Sequence, residues 1–232
     1  MNDGIEKRFL TVLKGDGDVE PPTLTMLCSR TLELIPATGA SIVLMSRGHD
    51  QGLAGAWGSS ALAGQDLEFT LGQGPGVDAY ADGNAVLVED LIASDGRWPL
   101  FSPTAVDLGV RSMCALPLQV GPICLGVLSF YGEKPGVIDP DHLEDAQLVA
   151  DLIAHLVIDL QSETASESIA FALEDSDYRA VVHQATGMIS AQLDCGIDEA
   201  LVRLRGRAFA SETPIDEISE GVVEGSIRFD GP

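Results

Sequence analysis

The chain has 232 residues, 45% of them hydrophobic, 5% aromatic, with a formal net charge of −23. That length fits one large domain or two small ones with a sizeable core. So negative a surface repels nucleic acid and anionic membranes except where positive charge is locally concentrated.

In chain order, residues 5–13 read as a short amphipathic helix within an N-terminal extension over 1–19. Pro22 to Ile35 reads helical, with Leu24, Leu27, Leu32 and Ile35 at roughly helical spacing. The period then changes. Ala40–Ser46 is a compact β-branched run, "GLAGAWGS" follows a turn, and the loop "TLGQGPGVDAY" leads into a short strand near Ala85. "SPTAVDLGV" has room for one or two helical turns. Arg111 to Gly132 reads as two long strands joined at Val120-Gly121-Pro122, a hairpin by its Gly-Pro turn signal.

From Asp139 the pattern is helical again. Val149, Leu152, Ile153, Leu156, Val157 and Leu160 form one apolar stripe. One side of such a helix can cover its own sheet, and the surplus predicts a homodimer built on this stripe. "QSETASES" interrupts the stripe, so residues 161–177 read as a helical linker. Three helical segments follow, at roughly 169–194, 197–211 and 214–229, with Thr213 and Pro214 as N-cap and first-turn proline of the last. The expected fold class is α+β, an antiparallel sheet with flanking helices followed by a small three-helix domain.

No apolar run approaches the roughly 18 residues that span a bilayer. "MNDGIEKRFL" lacks a charged-then-apolar secretory pattern, and a cytoplasmic location is expected. Cys28, Cys114, Cys124 and Cys195 are scattered without a CxxC pair and read as small buried hydrophobes. His49, His142, His155 and His183 share no ligand spacing, so no metal is expected. No nucleophile, base and orienting group fall together, and the chain reads as non-enzymatic.

Helical rotation of about 100° per residue places Tyr178, Val181, Val182, Ala185, Met188 and Ile189 on the apolar side of one C-terminal helix. Gly187 falls opposite, beside His183, Ser190 and Asp194. An interior glycine costs roughly 1 kcal/mol relative to alanine. A glycine facing away from its own core leaves a notch for something outside. Positive charge concentrates in the next helix: Arg203 and Arg207 share one flank and Arg205 projects from the other. Residues 178–232 carry five arginines against nine acids, a net of −4, which leaves −19 for residues 1–177. Arginine suits phosphate because its planar fork donates two parallel hydrogen bonds.

Over residues 20–160, the order helix, strands, "LGQGPGVDAY", "NAVLVEDL", "DGRWPLF", "LGVRSMCALPL", "LGVLSFYGEKPGVID", helix resembles a GAF sensory domain. The resemblance implies a small ligand of unknown identity between the sheet and the "GQGPGVDAY" loop, lined by Asp78, Tyr80 and Arg111. Residues 178–232 resemble an ANTAR domain through "QATGMISAQL", "DEALVRLRGRAFA" and "PIDEISEGVV". Together the two match the arrangement of actinobacterial transcription antitermination regulators. That resemblance implies binding of RNA hairpins, with Gln184, Thr186 and Gly187 beside Arg203, Arg205 and Arg207; many members carry lysine where this chain has Thr186.

Two other readings compete. The acidic charge favours an interaction module whose C-terminal helices only dimerise. A few GAF domains reduce methionine sulfoxide with clustered cysteines. Here a hairpin turning at Gly121-Pro122 sets Cys114 opposite Ser129 and Cys124 opposite Gln119, so the thiols are not opposed.

Overall fold

The computed structural model describes residues 4, 7–9, 11, 23–46, 49–94, 96–136, 138–163, 177–211 and 213–229. The chain divides into two units, Met1–Leu173 and Glu174–Pro232.

The first unit is built on an antiparallel sheet of β1 (Gly39–Ser46), β2 (His49–Trp57), β3 (Val86–Val88), β4 (Ser112–Val120) and β5 (Ile123–Gly132). The strand order is β2-β1-β5-β4-β3. Helices cover both faces, so the central strands carry apolar residues at successive positions. On one face α1 (Leu24–Thr31) and α5 (Pro140–Glu163) pack over Ile42, Cys114, Leu116, Leu118, Leu128 and Phe130. Thr23 caps α1 by accepting from the Met26 amide at 3.2 Å. On the other face α2 (Ser59–Leu71), α3 (Pro75–Asp82) and α4 (Phe101–Asp107) pack over Met113, Ala115, Val127 and Tyr131.

Several expectations need correction. The stretch that read as the loop "TLGQGPGVDAY" holds the end of α2, a short glycine-rich turn and most of α3, and α2 is a helix the sequence pattern did not reveal. Its buried side is Ser60, Ala61, Gly64, Gln65, Glu68 and Phe69, too small and polar to form a recognisable stripe. The hairpin turns where expected, with Val120 opposite Ile123 and Gln119 opposite Cys124, but a bulge between Leu118 and Gln119 shifts the register by one. Cys114 therefore faces Phe130, not Ser129.

The α5 stripe is consumed within its own unit. Val149, Ile153 and Val157 are buried against the sheet, and Leu152 and Leu156 pack at the edge of the same core. The stripe that predicted a homodimer is thus used by its own unit fully at Val149, Ile153 and Val157 and in part at Leu152 and Leu156; the Leu160 side chain and residues 164–176 of the expected linker lie outside the described residues.

In the second unit α6 (Asp177–Leu193) packs against both α7 (Ile197–Ser211) and α8 (Ile215–Val223). The last helix stops at Val223 rather than near residue 229. Gly225 adopts φ +80°, and Ile227 folds back to donate to the Gly221 carbonyl at 2.9 Å. Thr213 does not cap α8; its hydroxyl donates to the Ser211 carbonyl at 3.1 Å.

Candidate functional site

Between the sheet, α2 and α3, where a small ligand was expected, the protein's own side chains make close contacts. Two helix-interior and loop positions bring the layers together. A Cβ on Gly64 would stand 2.5 Å from the Tyr131 ring, so only glycine lets α2 lie this close to β5. Beyond it, the buried Glu68 carboxylate accepts the Gly76 amide of the first turn of α3 at 2.6 Å. A carboxylate there complements the positive end of the helix dipole. The Tyr131 hydroxyl meets Ser41 Oγ at 3.0 Å, and burial, with the Glu68 charge adding to it, pushes this phenol well above its ordinary pKa.

Asp78, Tyr80 and Arg111 are engaged in internal contacts. One Asp78 oxygen, Oδ2, accepts from Trp98 Nε1 at 3.1 Å and pairs with Arg97 at 2.8 Å. The Arg97 guanidinium carbon in turn lies 4.8 Å from the Trp98 ring centroid. This clasp ties α3 to the "DGRWPLF" segment. Tyr80 is half-buried against the core of the same face. Arg111 makes a two-point contact with Asp90, Nε to Oδ1 at 3.2 Å and Nη2 to Oδ2 at 2.8 Å. The Arg111 hydrogen bond, helped by the Ile92 amide, holds the Asp90 carboxyl below its ordinary pKa. A surface depression lined by Lys7, Arg8, Thr11, Glu33 and Leu34 lies away from these three residues.

Cys28 and Cys114 are buried in one core, and burial pushes each thiol up to about 12. Thiolate is the nucleophilic and metal-binding form, so these two sulfurs are inert near neutral pH. Among the described residues no group of three or more His, Cys, Asp and Glu side chains is placed to hold a metal ion. No helix of the described residues is long and apolar enough to cross a membrane.

The C-terminal unit places the six RNA-contact candidates unequally. Gln184 and Gly187 are exposed on α6, and nothing lies within 4 Å of a Cβ built on Gly187. Thr186 is 2% exposed, with its hydroxyl donating to the Val182 carbonyl at 2.7 Å. Its expected place in an exposed notch is therefore corrected. The buried residues Val182, Ala185, Thr186 and Ile189 follow i, i+3, i+4, i+7 spacing, so Thr186 belongs to the stripe that α6 turns to its neighbouring helices. On α7 the buried line is Ala200, Leu204 and Ala208. Arg203 and Arg207 are exposed on one flank, and Arg205 is half-buried on the other. Arg203 is engaged by Glu199 at 2.7 Å.

Sequence reasoning missed what lies between these arginines. Val202 is 64% exposed and Phe209 61% exposed, both on the outer side of α7. The available signal was their seven-residue spacing opposite Ala200, Leu204 and Ala208.

Comparison with known proteins bears on the first unit. The chain is similar to the GAF domain of a phosphoenolpyruvate-protein phosphotransferase from Coxiella burnetii at 13% identity and a TM-score of 0.53, over 70% of this chain and 95% of that one. It is similar to the corresponding domain from Acinetobacter at 11% identity and a TM-score of 0.52, over 71% and 96%. A domain of a putative two-component sensor histidine kinase from Sinorhizobium meliloti aligns at 15% identity and a TM-score of 0.51, over 64% and 97%. At such identities the likeness is one of fold. No curated protein matches the chain. The family model described as GAF domain matches residues 22–157, more than half of the sequence, and the chain belongs to the GAF domain family.

Proposed function

We propose that the chain is a signal-responsive regulator in which the GAF unit receives a small ligand or partner and the C-terminal helices bind RNA hairpins, as their resemblance to ANTAR domains implies. The observation that carries this reading is charge placement. In a molecule of net charge −23, Arg203, Arg205 and Arg207 rise from one helix, with Arg203 and Arg207 exposed and Arg203 beside Glu199. Gln184 and the open position at Gly187 add an exposed strip on the neighbouring helix.

Binding of a labelled RNA hairpin by the full chain tests it. If the three arginines of each of two copies meet phosphates, log affinity falls against log salt with a slope near ~−4, from about 0.7 per single-strand phosphate. Arg203→Ala with Arg207→Ala lowers affinity and flattens that slope. Gly187→Leu lowers affinity without unfolding α6, because its side chain enters open space. Unchanged affinity in both variants removes the proposed interface and leaves the interaction module, which the acidic charge favours. On the sensor side, Asp78 and Arg111 are already paired, so a ligand seated there displaces their partners Arg97 and Asp90. A thermal-shift screen of the full chain reads such a ligand as a rise in the first unit's melting temperature.

A further inference from the structure

The outer side of α7 combines features that charge attraction alone leaves unexplained. Rotation of about 100° per residue sets Val202, Gly206 and Phe209 within about 60° of one another, opposite the buried Leu204. Val202 and Phe209 are the most exposed large apolar side chains of this unit. Gly206 meets nothing within 4 Å of a built Cβ, so packing gives no reason for a glycine that weakens the helix. A helical side chain covers the turn N-terminal to its own Cα. Phe209 therefore leans over the turn containing Gly206, where the missing side chain leaves the ring uncovered. Arg203 and Arg207 run along one flank of this strip and Arg205 along the other.

We infer that Phe209 and Gly206 form a stacking platform for an unpaired RNA base, with Val202 extending its apolar floor and the flanking arginines holding the backbone on either side. The inference rests on the RNA-binding reading above and sharpens it. Arginines alone attract any phosphate chain, paired or not. An aromatic face gains only from a base released from its own stack, as in a hairpin loop. The platform therefore selects loop over duplex. Charge complementarity favours nucleic acid over an apolar protein partner, since a strip bracketed by three arginines suits a polyanion with π-faces.

The test uses the full chain, a short-stemmed RNA hairpin carrying a fluorescent adenine analogue in its loop, and the same stem closed as a blunt duplex. Wild-type protein binds the hairpin more tightly than the duplex and shifts the analogue's emission. Phe209→Ala weakens hairpin binding about ten- to a hundredfold, the range typical of one lost base stack, and abolishes the emission shift. It leaves duplex binding unchanged. Phe209→Tyr restores both, and Gly206→Leu, which fills the uncovered face, behaves like Phe209→Ala. Both residues are exposed, so circular dichroism shows α7 intact in each variant. Wild-type binding to neither RNA overturns the RNA-binding reading itself. Hairpin binding that survives Phe209→Ala and Gly206→Leu unchanged overturns the platform alone. Loss of a dimer by light scattering in Phe209→Ala, with RNA binding unchanged, also overturns it and assigns the strip to a second copy of the chain.

Discussion

Helices of this protein carry interior glycines for opposite reasons. In α2, Gly64 exists because the Tyr131 ring occupies the place where a side chain would go. In α6 and α7, Gly187 and Gly206 face open space. Gly64 closes a layer of the first unit, whereas Gly187 and Gly206 stand where the packing of α6 and α7 needs no small residue; in α8 the Ile227 side chain closes over Gly221. The same contrast runs through the ion pairs. Arg111 and Asp90 are 32% and 26% exposed and form a two-point contact, whereas Arg203 and Glu199 are 44% and 53% exposed along one helix. A closed sensor unit and an open helical unit thus meet in one chain, and glycine sites distinguish them better than composition does.

Substitutions at these glycines are the sharpest way to break the contrast. Gly64→Ala forces the new methyl into the Tyr131 ring and destabilises the first unit by about 1–3 kcal/mol, the usual cost of overpacking. Thermal unfolding followed by tyrosine absorbance measures it, and an unchanged midpoint would show that α2 can retreat freely from the sheet. Next in size, Gly187→Ala and Gly206→Ala each stabilise the second unit by about 0.5–1 kcal/mol, because alanine loses less backbone freedom in a helix. Loss of helical circular dichroism on heating should move upward for both; a downward shift would mean those surfaces are covered.

The smallest effect separates the ion pairs. The depressed Asp90 pKa gives stability that is fully present above the unfolded-state value near ~3.9 and disappears as pH falls through the lower folded value. Arg111→Gln therefore lowers stability at neutral pH, and its difference from wild type shrinks in acid below about pH 4. Arg203→Gln, at an exposed pair along one helix, changes stability less at every pH. Equal losses in the two variants would erase the distinction.

Much of this architecture was legible in the sequence because it rests on apolar periodicity and turn residues. β1, the β4–β5 hairpin, α5 and the helices α6 and α7 all follow from those signals. What escaped is the polar and glycine-rich part. α2 buries serine, glycine, glutamine and glutamate, residues whose burial depends on partners on other elements, such as the Gly76 amide of α3 and the Tyr131 ring of β5. The bulge beside Gln119 left no mark on a strand whose apolar residues serve both faces of the sheet, and one residue of slip moved Cys114 from Ser129 to Phe130. On the candidate interface, arginine spacing was readable. The burial of Thr186 was readable as well, four residues after Val182 on the same stripe, but its polar side chain masked it. The exposure of Phe209 went unread beside the arginines.

The clasp of Asp78, Arg97 and Trp98 has an optical consequence. The chain has two tryptophans, and Trp57 is 55% exposed while Trp98 is 3% exposed. A water-borne collisional quencher such as iodide reaches the first indole and is excluded from the second. Emission that survives iodide therefore comes from Trp98, whose ring nitrogen and face are both held by charged groups. Release of α3 from the "DGRWPLF" segment removes the Asp78 hydrogen bond and admits water, which shifts that surviving emission to the red. The protein thus carries its own unlabelled reporter of the clasp between α3 and the Arg97–Trp98 pair.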